Sequence, residues 1–204
     1  PVFDAQVNIL DTVRLLAAAV TAGVERIVFA SSAAVYGDPE EIPTPEDAPL
    51  APLSPYGVGK LAGEGYLSFF ARRHGLAGVA LRFANVYGPR QESVGEAGVV
   101  AVFCQRLLAD EAVTIHGDGR QTRDFVYVDD VARACILALT APTGVYNVAT
   151  GVETDVRTLF ARLAAALRPG SLPVHGPAVA GEPRRSALET SRAEAGLGFR
   201  AVQE

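Results

Sequence analysis

Apolar residues along the first part of the chain recur in two alternating patterns. From Val2 to Ala22 they return at the spacing of an amphipathic helix, and Gly23 is suited to cap its end. The next run, RIVFAS from Arg26 to Ser31, is short and almost continuously apolar, which is typical of a strand buried in a parallel sheet. The alternation continues: a helix is predicted over 56–74, a strand over 78–83, a helix over 99–108, a strand over 113–117, a helix over 127–140, a strand over 144–150 and a helix over 158–167.

Strands that alternate with helices of roughly 10–20 residues predict an α/β fold in which a parallel sheet is doubly wound by helices. The segment 38–55 holds six prolines and is therefore expected to cross the surface without regular structure. Loops of this kind lie at the carboxyl edge of a parallel sheet, where substrates bind. The tail from residue 171 onward shows mixed patterns.

Composition narrows the classes of function. A net charge of −5 over 204 residues and a pI near 5.3 argue against a surface that binds nucleic acid or an anionic membrane. The longest apolar stretch, 13–35, is interrupted by Gly23, Glu25 and Arg26, so it does not predict a membrane span. Cys104 and Cys135 lack metal-ligand or redox spacing. We therefore expect free thiols, no metal site and a cytoplasmic location.

The stretch SPYGVGKLAGEG, 54–65, fits two different motifs. Gly57, Gly59 and Ala62 have the spacing of a dinucleotide-binding fingerprint, but prolines stand where that motif needs a strand. Tyr56 and Lys60 are one helical turn apart, and an ammonium group beside a phenol lowers its pKa and makes it a usable general base. The pattern is short, so a chance match on an exposed helix is the alternative. The neighbouring FASSAAVYG supports the catalytic interpretation, since it places two serine hydroxyls at the edge where a strand ends.

Several motifs in a fixed order carry a family resemblance: SSAAVYG, SPYGVGK, LRFANVYGPR, GDGRQTRDFVYVDDVARA, YNVATG and GEPRRSALETSRAEAGLGF. Together they resemble the extended short-chain dehydrogenase/reductases, and among these the UDP-glucose 4-epimerase-like members of the NAD-dependent epimerase/dehydratase family. The resemblance implies a Rossmann-like doubly wound sheet plus a small C-terminal substrate-binding lobe. Residues 1–90 and 120–150 would belong to the NAD-binding domain, and residues 91–119 and 151–204 to the lobe.

The family's glycine-rich loop and first strands would precede Pro1, and the sequence contains no methionine. We therefore expect a sheet that lacks its first strands. The missing loop would hold the pyrophosphate of NAD at a helix N-terminus. This chain alone is accordingly expected to bind NAD weakly and to be inactive as an epimerase.

The resemblance assigns roles to matching residues. Ser32, Tyr56 and Lys60 match the catalytic triad, and Lys60 would also hold the nicotinamide ribose of NAD. Ser31 and Phe83 would border the nicotinamide. Tyr56 would take the proton of the sugar 4-hydroxyl while NAD accepts the hydride from C4, and Ser32 would bond the oxygen of the resulting 4-keto sugar.

The substrate's diphosphate would lie against Asn85 and Arg123, since a planar guanidinium suits phosphate. Without that role, Arg123 would form a surface ion pair with an acid such as Asp124, and Asn85 would be a turn residue. Val179 stands where the family has a second phosphate-binding arginine. Three alternatives follow: Arg184 or Arg185 replaces it, the diphosphate is bound more weakly, or the loop is arranged differently.

Other departures bear on the reaction. Ala33 and Ala34 follow the catalytic serine, where related dehydratases and decarboxylases carry acidic residues, so an epimerase is favoured. Ser186 is expected to gate the sugar pocket, and its small side chain would leave room for an N-acetyl group.

The predicted activity is UDP-glucose 4-epimerisation. Epimerisation of UDP-N-acetylglucosamine or UDP-glucuronate remains open, as does a non-catalytic NAD-binding regulatory protein, although such proteins commonly lack the tyrosine or lysine. The resemblance also implies a homodimer formed through the helices over 2–22 and 56–74.

Overall fold

Three parallel strands, β1 (Arg26–Ser32), β2 (Ala77–Phe83) and β7 (Gly144–Val148), form the central sheet. The computed structural model describes residues 1–92, 98–179, 181 and 183–202. The strand order is β1-β2-β7, so β2 lies in the middle, and residues 78–82 of this strand are all buried. The parallel α/β sheet predicted from the apolar runs is confirmed.

Helices and short strand pairs surround the sheet, and their bounds complete the fold. The helices are α1 (Val2–Ala5), a π-helical turn (Gln6–Leu10), α2 (Asp11–Thr21), a 3₁₀ turn (Ala33–Val35), α3 (Pro55–His74), α4 (Val99–Leu108), α5 (Val128–Leu137), α6 (Val156–Leu167) and α7 (Ser191–Leu197). The other strands are β3 (Asn85–Tyr87), β4 (Thr114–His116), β5 (Thr122–Arg123), β6 (Phe125–Tyr127), β8 (Thr154–Asp155) and β9 (Val174–Gly176).

Alternate residues of β2 pack against helices on opposite faces of the sheet, which is the doubly wound arrangement. Val79 and Leu81 belong to a core shared with α5 and α7. Ala80 belongs to a core shared with Leu16 of α2 and Leu67 of α3. Both faces of β2 are therefore covered, as its continuous apolar sequence requires.

The start of α3 is fixed by local chemistry. The Ser54 hydroxyl accepts a hydrogen bond from the Gly57 backbone N–H at 3.1 Å, and Pro55 occupies the first turn. A β-carbon at Gly57 would lie 2.5 Å from the Ala34 carbonyl oxygen, and one at Gly63 would lie 2.4 Å from the Phe29 ring. These glycines let the helix approach β1 closely, so their role is packing.

A smaller lobe has its own apolar cluster. Helices α4 and α6 pack together through Phe103 and Phe160, whose ring centroids are 6.1 Å apart. Val113 and Ile115 complete this cluster beneath the parallel pair of β4 and β9.

The structure differs from the sequence predictions in several places. The predicted helix over 2–22 is interrupted by the π-helical turn, and the predicted helix over 158–167 already begins at Val156 because the Asp155 side chain caps the Thr158 N–H at 3.0 Å. The mixed tail contains α7, and Phe199 after it is fully buried against the sheet. Within the described residues, no helix is long and apolar enough to cross a membrane.

We expect Phe199→Ala to lower the free energy of unfolding by about 3–5 kcal/mol, because the change opens a cavity in the core of the sheet. Urea denaturation followed by circular dichroism measures this loss. The matched control is Leu172→Ala, which removes a side chain that is 86% exposed and should change stability by less than about 0.5 kcal/mol. Equal effects of the two substitutions would show that the tail does not pack as described.

Candidate active site

The carboxyl ends of β1 and β2 meet the first turn of α3 at one cavity. This cavity has a volume of 360 Å³, and Ser32, Tyr56, Phe83 and Asn85 all line it. Ser32 is the last residue of β1, Phe83 the last of β2, and Tyr56 lies in the capped first turn of α3. The structure therefore brings together the predicted serine, tyrosine and asparagine from three separate parts of the sequence.

Lys60 lies one turn after Tyr56 on the same helix. Its Nζ atom is 5.4 Å from the centroid of the Tyr56 ring and 5.5 Å from that of Phe29. Partial burial lowers the pKa of the Lys60 ammonium group, and the nearby Asp4 carboxylate opposes that effect. A cation at this position stabilises the phenolate form of the tyrosine, which is the form that can accept a proton.

Ser32 is the N-cap of the 3₁₀ turn that follows β1. Its Oγ atom accepts a hydrogen bond from the Ala34 backbone N–H at 3.2 Å. Because that bond uses a lone pair of the oxygen, the hydroxyl proton stays available to a ligand oxygen in the cavity.

Ser31 also borders the cavity, but its hydroxyl faces the helix. Its Oγ atom donates to the Glu64 carboxylate at 2.5 Å, and the residue is 2% exposed. A cofactor contact by Ser31 stays a prediction, and its hydroxyl is already committed to Glu64.

A second cavity of 530 Å³ adjoins the first, with Asn85, Gly98 and Val99 in the walls of both. Arg106 and Arg123 contribute two cationic side chains to its lining. The two cavities together suit an elongated ligand that has a small polar group at the tyrosine and an anionic group at the arginines.

Arg123 is held in place by backbone carbonyl groups. Its Nη1 atom donates to the oxygens of Thr122 at 2.8 Å and of Pro183 at 2.9 Å. The adjacent Asp124 is fully buried and accepts from the backbone N–H groups of Thr150, Gly151 and Leu188. Burial raises the pKa of Asp124, and these hydrogen bonds oppose the rise. The carboxylate of Asp124 thus joins three loops, which differs from the surface ion pair considered above.

Two predicted substrate residues lie away from the cavities. Arg185 forms a forked ion pair with Glu153, with N–O distances of 2.5 and 3.0 Å, and Arg184 pairs similarly with Asp118 at 2.9 Å. Ser186 is half-buried and lines neither cavity. Substrate contacts by Arg185 and Ser186 therefore stay predictions without support from this geometry.

Sequence reasoning missed several residues near the site. Arg106 and His116 line the second cavity, but no motif marks them. Arg82 and Glu64 form a buried ion pair next to Ser31. The sequence did contain one signal for this pair. An arginine stands inside the otherwise apolar strand VALRF, and a buried guanidinium needs a partner.

Comparisons with known proteins agree with this geometry. The sequence model of the NAD dependent epimerase/dehydratase family matches residues 1–149. The UDP-glucose 4-epimerase of Mycolicibacterium smegmatis is 47% identical over 203 residues, which are 98% of this chain and 64% of the relative.

Two solved structures share the fold along the whole chain. The Thermotoga maritima UDP-glucose 4-epimerase with UDP-glucose superposes with a TM-score of 0.97 at 42% identity, over 100% of this chain and 67% of that one. The Thermus thermophilus UDP-glucose 4-epimerase in complex with NAD gives 0.92 at 42% identity, over 100% and 68%. The chain thus spans about two thirds of the length of these relatives.

We expect Asp4→Asn to lower the pKa of Lys60 further, because it removes the carboxylate that favours the ammonium form. Asp4 lies against the turn of α3 that carries Lys60, since a β-carbon added at the adjacent Gly59 would be 3.3 Å from the Asp4 Oδ1 atom. Lys60 is the only lysine in the sequence, so ¹³C-lysine labelling gives one NMR titration curve.

Asp11→Asn is the matched control for this titration, since Asp11 is exposed on α2 and paired with Arg14. It should leave the Lys60 curve unchanged. An unchanged Lys60 pKa in Asp4→Asn would rule out the proposed influence of Asp4.

Proposed function

Because this chain belongs to the NAD dependent epimerase/dehydratase family, we propose that it forms most of an NAD-dependent UDP-glucose 4-epimerase. Such an enzyme interconverts UDP-glucose and UDP-galactose through a 4-keto intermediate. The observation that carries the proposal is the convergence of Ser32 and Tyr56 on one cavity, with Lys60 beside the tyrosine. The family predicted from the motifs is confirmed, and the activity of the whole protein is our inference.

The side chains in and beside the first cavity fit the nicotinamide end of NAD. An ammonium group and a phenol hydroxyl, from Lys60 and Tyr56, can hold ribose hydroxyls, and the Phe83 side chain offers an apolar wall for the ring. When bound, NAD supplies a reversible acceptor for the hydride of the sugar C4.

The chain's own residues supply proton transfer and orientation. Tyr56 accepts the proton of the 4-hydroxyl, and the Lys60 charge stabilises the phenolate that does so. The Ser32 hydroxyl donates a hydrogen bond to the oxygen that becomes the ketone and keeps its proton. On the return step, Tyr56 gives the proton back to the same oxygen.

The second cavity holds the UDP part in this proposal. Arg123 and Asn85 contact the diphosphate, and the backbone bonds of Arg123 fix the direction of its guanidinium. Arg106 lies in the same cavity and adds positive charge.

The alternative functions have less support. Room for an N-acetyl group was argued from Ser186, but Ser186 lies outside both cavities and so gives that substrate no support. The arrangement of Tyr56 with Lys60 speaks against a non-catalytic protein.

Two further features belong to the same proposal. Large apolar side chains are exposed on the helices predicted to pair, including Phe3 at 81% and Phe69 at 49%, which supports a homodimer through α1, α2 and α3. Sedimentation that finds only monomer in a catalytically active preparation would rule this out.

A cytoplasmic location agrees with Cys104 and Cys135, which are both free thiols.

Replacing the proposed base tests the function directly. Because the chain spans 64% of the M. smegmatis relative, the assay uses a chimera in which these 204 residues replace the matching region of that relative. We expect the chimera to convert UDP-glucose to UDP-galactose, and Tyr56→Phe to reduce kcat by roughly 10²–10⁴-fold through loss of the general base. Product formation is followed by ion-exchange chromatography.

Tyr66→Phe is the control, since Tyr66 lies on the same helix and is 41% exposed. It should retain the activity of the unchanged chimera. A chimera that epimerises nothing while the parental relative is active would contradict the proposed function, and full activity in Tyr56→Phe would remove Tyr56 as the base.

A further inference from the structure

A buried ion pair lies directly behind the catalytic turn of α3. Glu64 follows Lys60 by one helical turn, and its carboxylate receives a two-pronged contact from Arg82 in the middle strand of the sheet. The Nε–Oε1 distance is 2.9 Å and the Nη2–Oε2 distance is 2.7 Å. Glu64 is 8% exposed and Arg82 is 3% exposed, so the pair is almost entirely shielded from water.

The Glu64 carboxylate also accepts a hydrogen bond from the end of β1. The Ser31 hydroxyl donates to Glu64 Oε1 at 2.5 Å, and the next residue along the chain is Ser32. One carboxylate therefore joins the helix that carries Tyr56, the strand that carries Ser32, and the central strand β2.

The guanidinium extends these bonds to the proline-rich loop. Arg82 Nη1 donates to the Tyr36 hydroxyl and to the Glu46 carbonyl oxygen, each at 2.9 Å. The Tyr36 hydroxyl in turn donates to Asn147 Oδ1 at 2.7 Å. The polar groups of this junction thus satisfy one another while the surrounding core is apolar.

The charges of the pair balance each other inside the protein. Burial lowers the pKa of Arg82, but its bonds to Glu64 and to the Tyr36 hydroxyl outweigh burial, and the net pKa is raised. Burial raises the pKa of Tyr36, so its hydroxyl stays neutral. An unpaired charge on either member would act on Lys60, which lies one helical turn from Glu64 on α3.

A buried ion pair is often no more stabilising than apolar packing of equal size. The contribution of the ion pair here is orientation. The planar guanidinium of Arg82 binds both carboxylate oxygens of Glu64 only when the carboxylate lies in one position. We propose that Glu64 and Arg82 are positioning residues: their ion pair fixes the Tyr56 helix against the Ser32 strand and keeps the junction behind the catalytic groups electrically neutral.

Other charged groups near the junction are few among the described residues. Asp4 acts on Lys60 from α1. The Glu46 carboxylate accepts the Asn147 N–H at 2.8 Å and lies 3.6 Å from Arg192. Neither carboxylate is bonded to Glu64 or Arg82 in these contacts, so a charge imbalance in the variants comes from the altered pair.

The first test needs only this chain and no activity. Glu64→Gln leaves the Arg82 cation unpaired and should lower the pKa of Lys60, whereas Arg82→Gln leaves the carboxylate unpaired and should raise it. The two shifts should have opposite signs, because the unpaired charges have opposite signs. The double variant Glu64→Gln with Arg82→Gln should return the pKa close to the original value, as read from the single lysine by ¹³C NMR.

Leu67→Ala is the matched control, because Leu67 is a buried neighbour on the same helix. It weakens packing without changing charge and should leave the Lys60 pKa unchanged. If Arg82→Gln does not fold, Glu64→Gln by itself still tests the direction of the shift, and the chain keeps its single lysine. Single variants that shift the pKa in the same direction, or not at all, would overturn the proposal.

The second test rests on the proposed epimerase function and uses the chimera. Glu64→Gln should lower kcat about tenfold or more with little change in KM, since it displaces the catalytic groups and not the UDP site. The pH dependence of kcat should shift in opposite directions in the two single variants. It should move toward lower pH in Glu64→Gln and toward higher pH in Arg82→Gln. Leu67→Ala should keep both kcat and the profile.

Outcomes of the two tests separate the two claims. If the unchanged chimera is inactive but the Lys60 shifts occur as described, the function fails and the electrostatic role of the pair stands. If the chimera is active and Glu64→Gln matches it in kcat and pH profile, the positioning role is wrong.

Discussion

The contact of the Glu64 carboxylate with Arg82 and Ser31 is the constraint on which the site depends. Proton transfer needs Tyr56 and Ser32 within reach of one oxygen, yet one belongs to a helix and the other to a strand. The glycines of α3 allow the helix to approach β1, and the bonds of Glu64 to Ser31 of β1 and Arg82 of β2 select where along the sheet it rests. Packing alone would permit sliding, because apolar contacts have no direction.

This junction also explains how the two cavities are joined. β2 carries Arg82 on the side of the junction and continues through Phe83 to Asn85, which lies in both cavities. The backbone N–H of Asn85 donates to the carbonyl oxygen of Asp124, whose carboxylate ties down the neighbouring loops. One strand therefore sets the proton-transfer end and the nucleotide end of the proposed substrate relative to each other.

The sequence predicted the central sheet because β2 and its neighbours are apolar on both faces, and Tyr56 with Lys60 because helical spacing is regular. It did not reveal α7, whose short pattern becomes meaningful only when Phe199 meets the sheet. It did not reveal the ion pair of Arg185, since nothing in a motif shows that Glu153 binds the side chain. Arg82 was missed although it is a charge in an apolar strand, and its partner, 18 residues earlier on α3, is visible only in the fold.

In the proposed reaction Tyr56 moves only the hydroxyl proton, and the hydrogen on C4 does not exchange with solvent, so the fate of that hydrogen tests the central claim most directly. The chimera is given UDP-glucose deuterated at C4 in ordinary water, and the UDP-galactose is analysed by mass spectrometry and NMR. Our account predicts that the deuterium is retained at C4 of the product. Its replacement by solvent hydrogen at C4 would contradict the account.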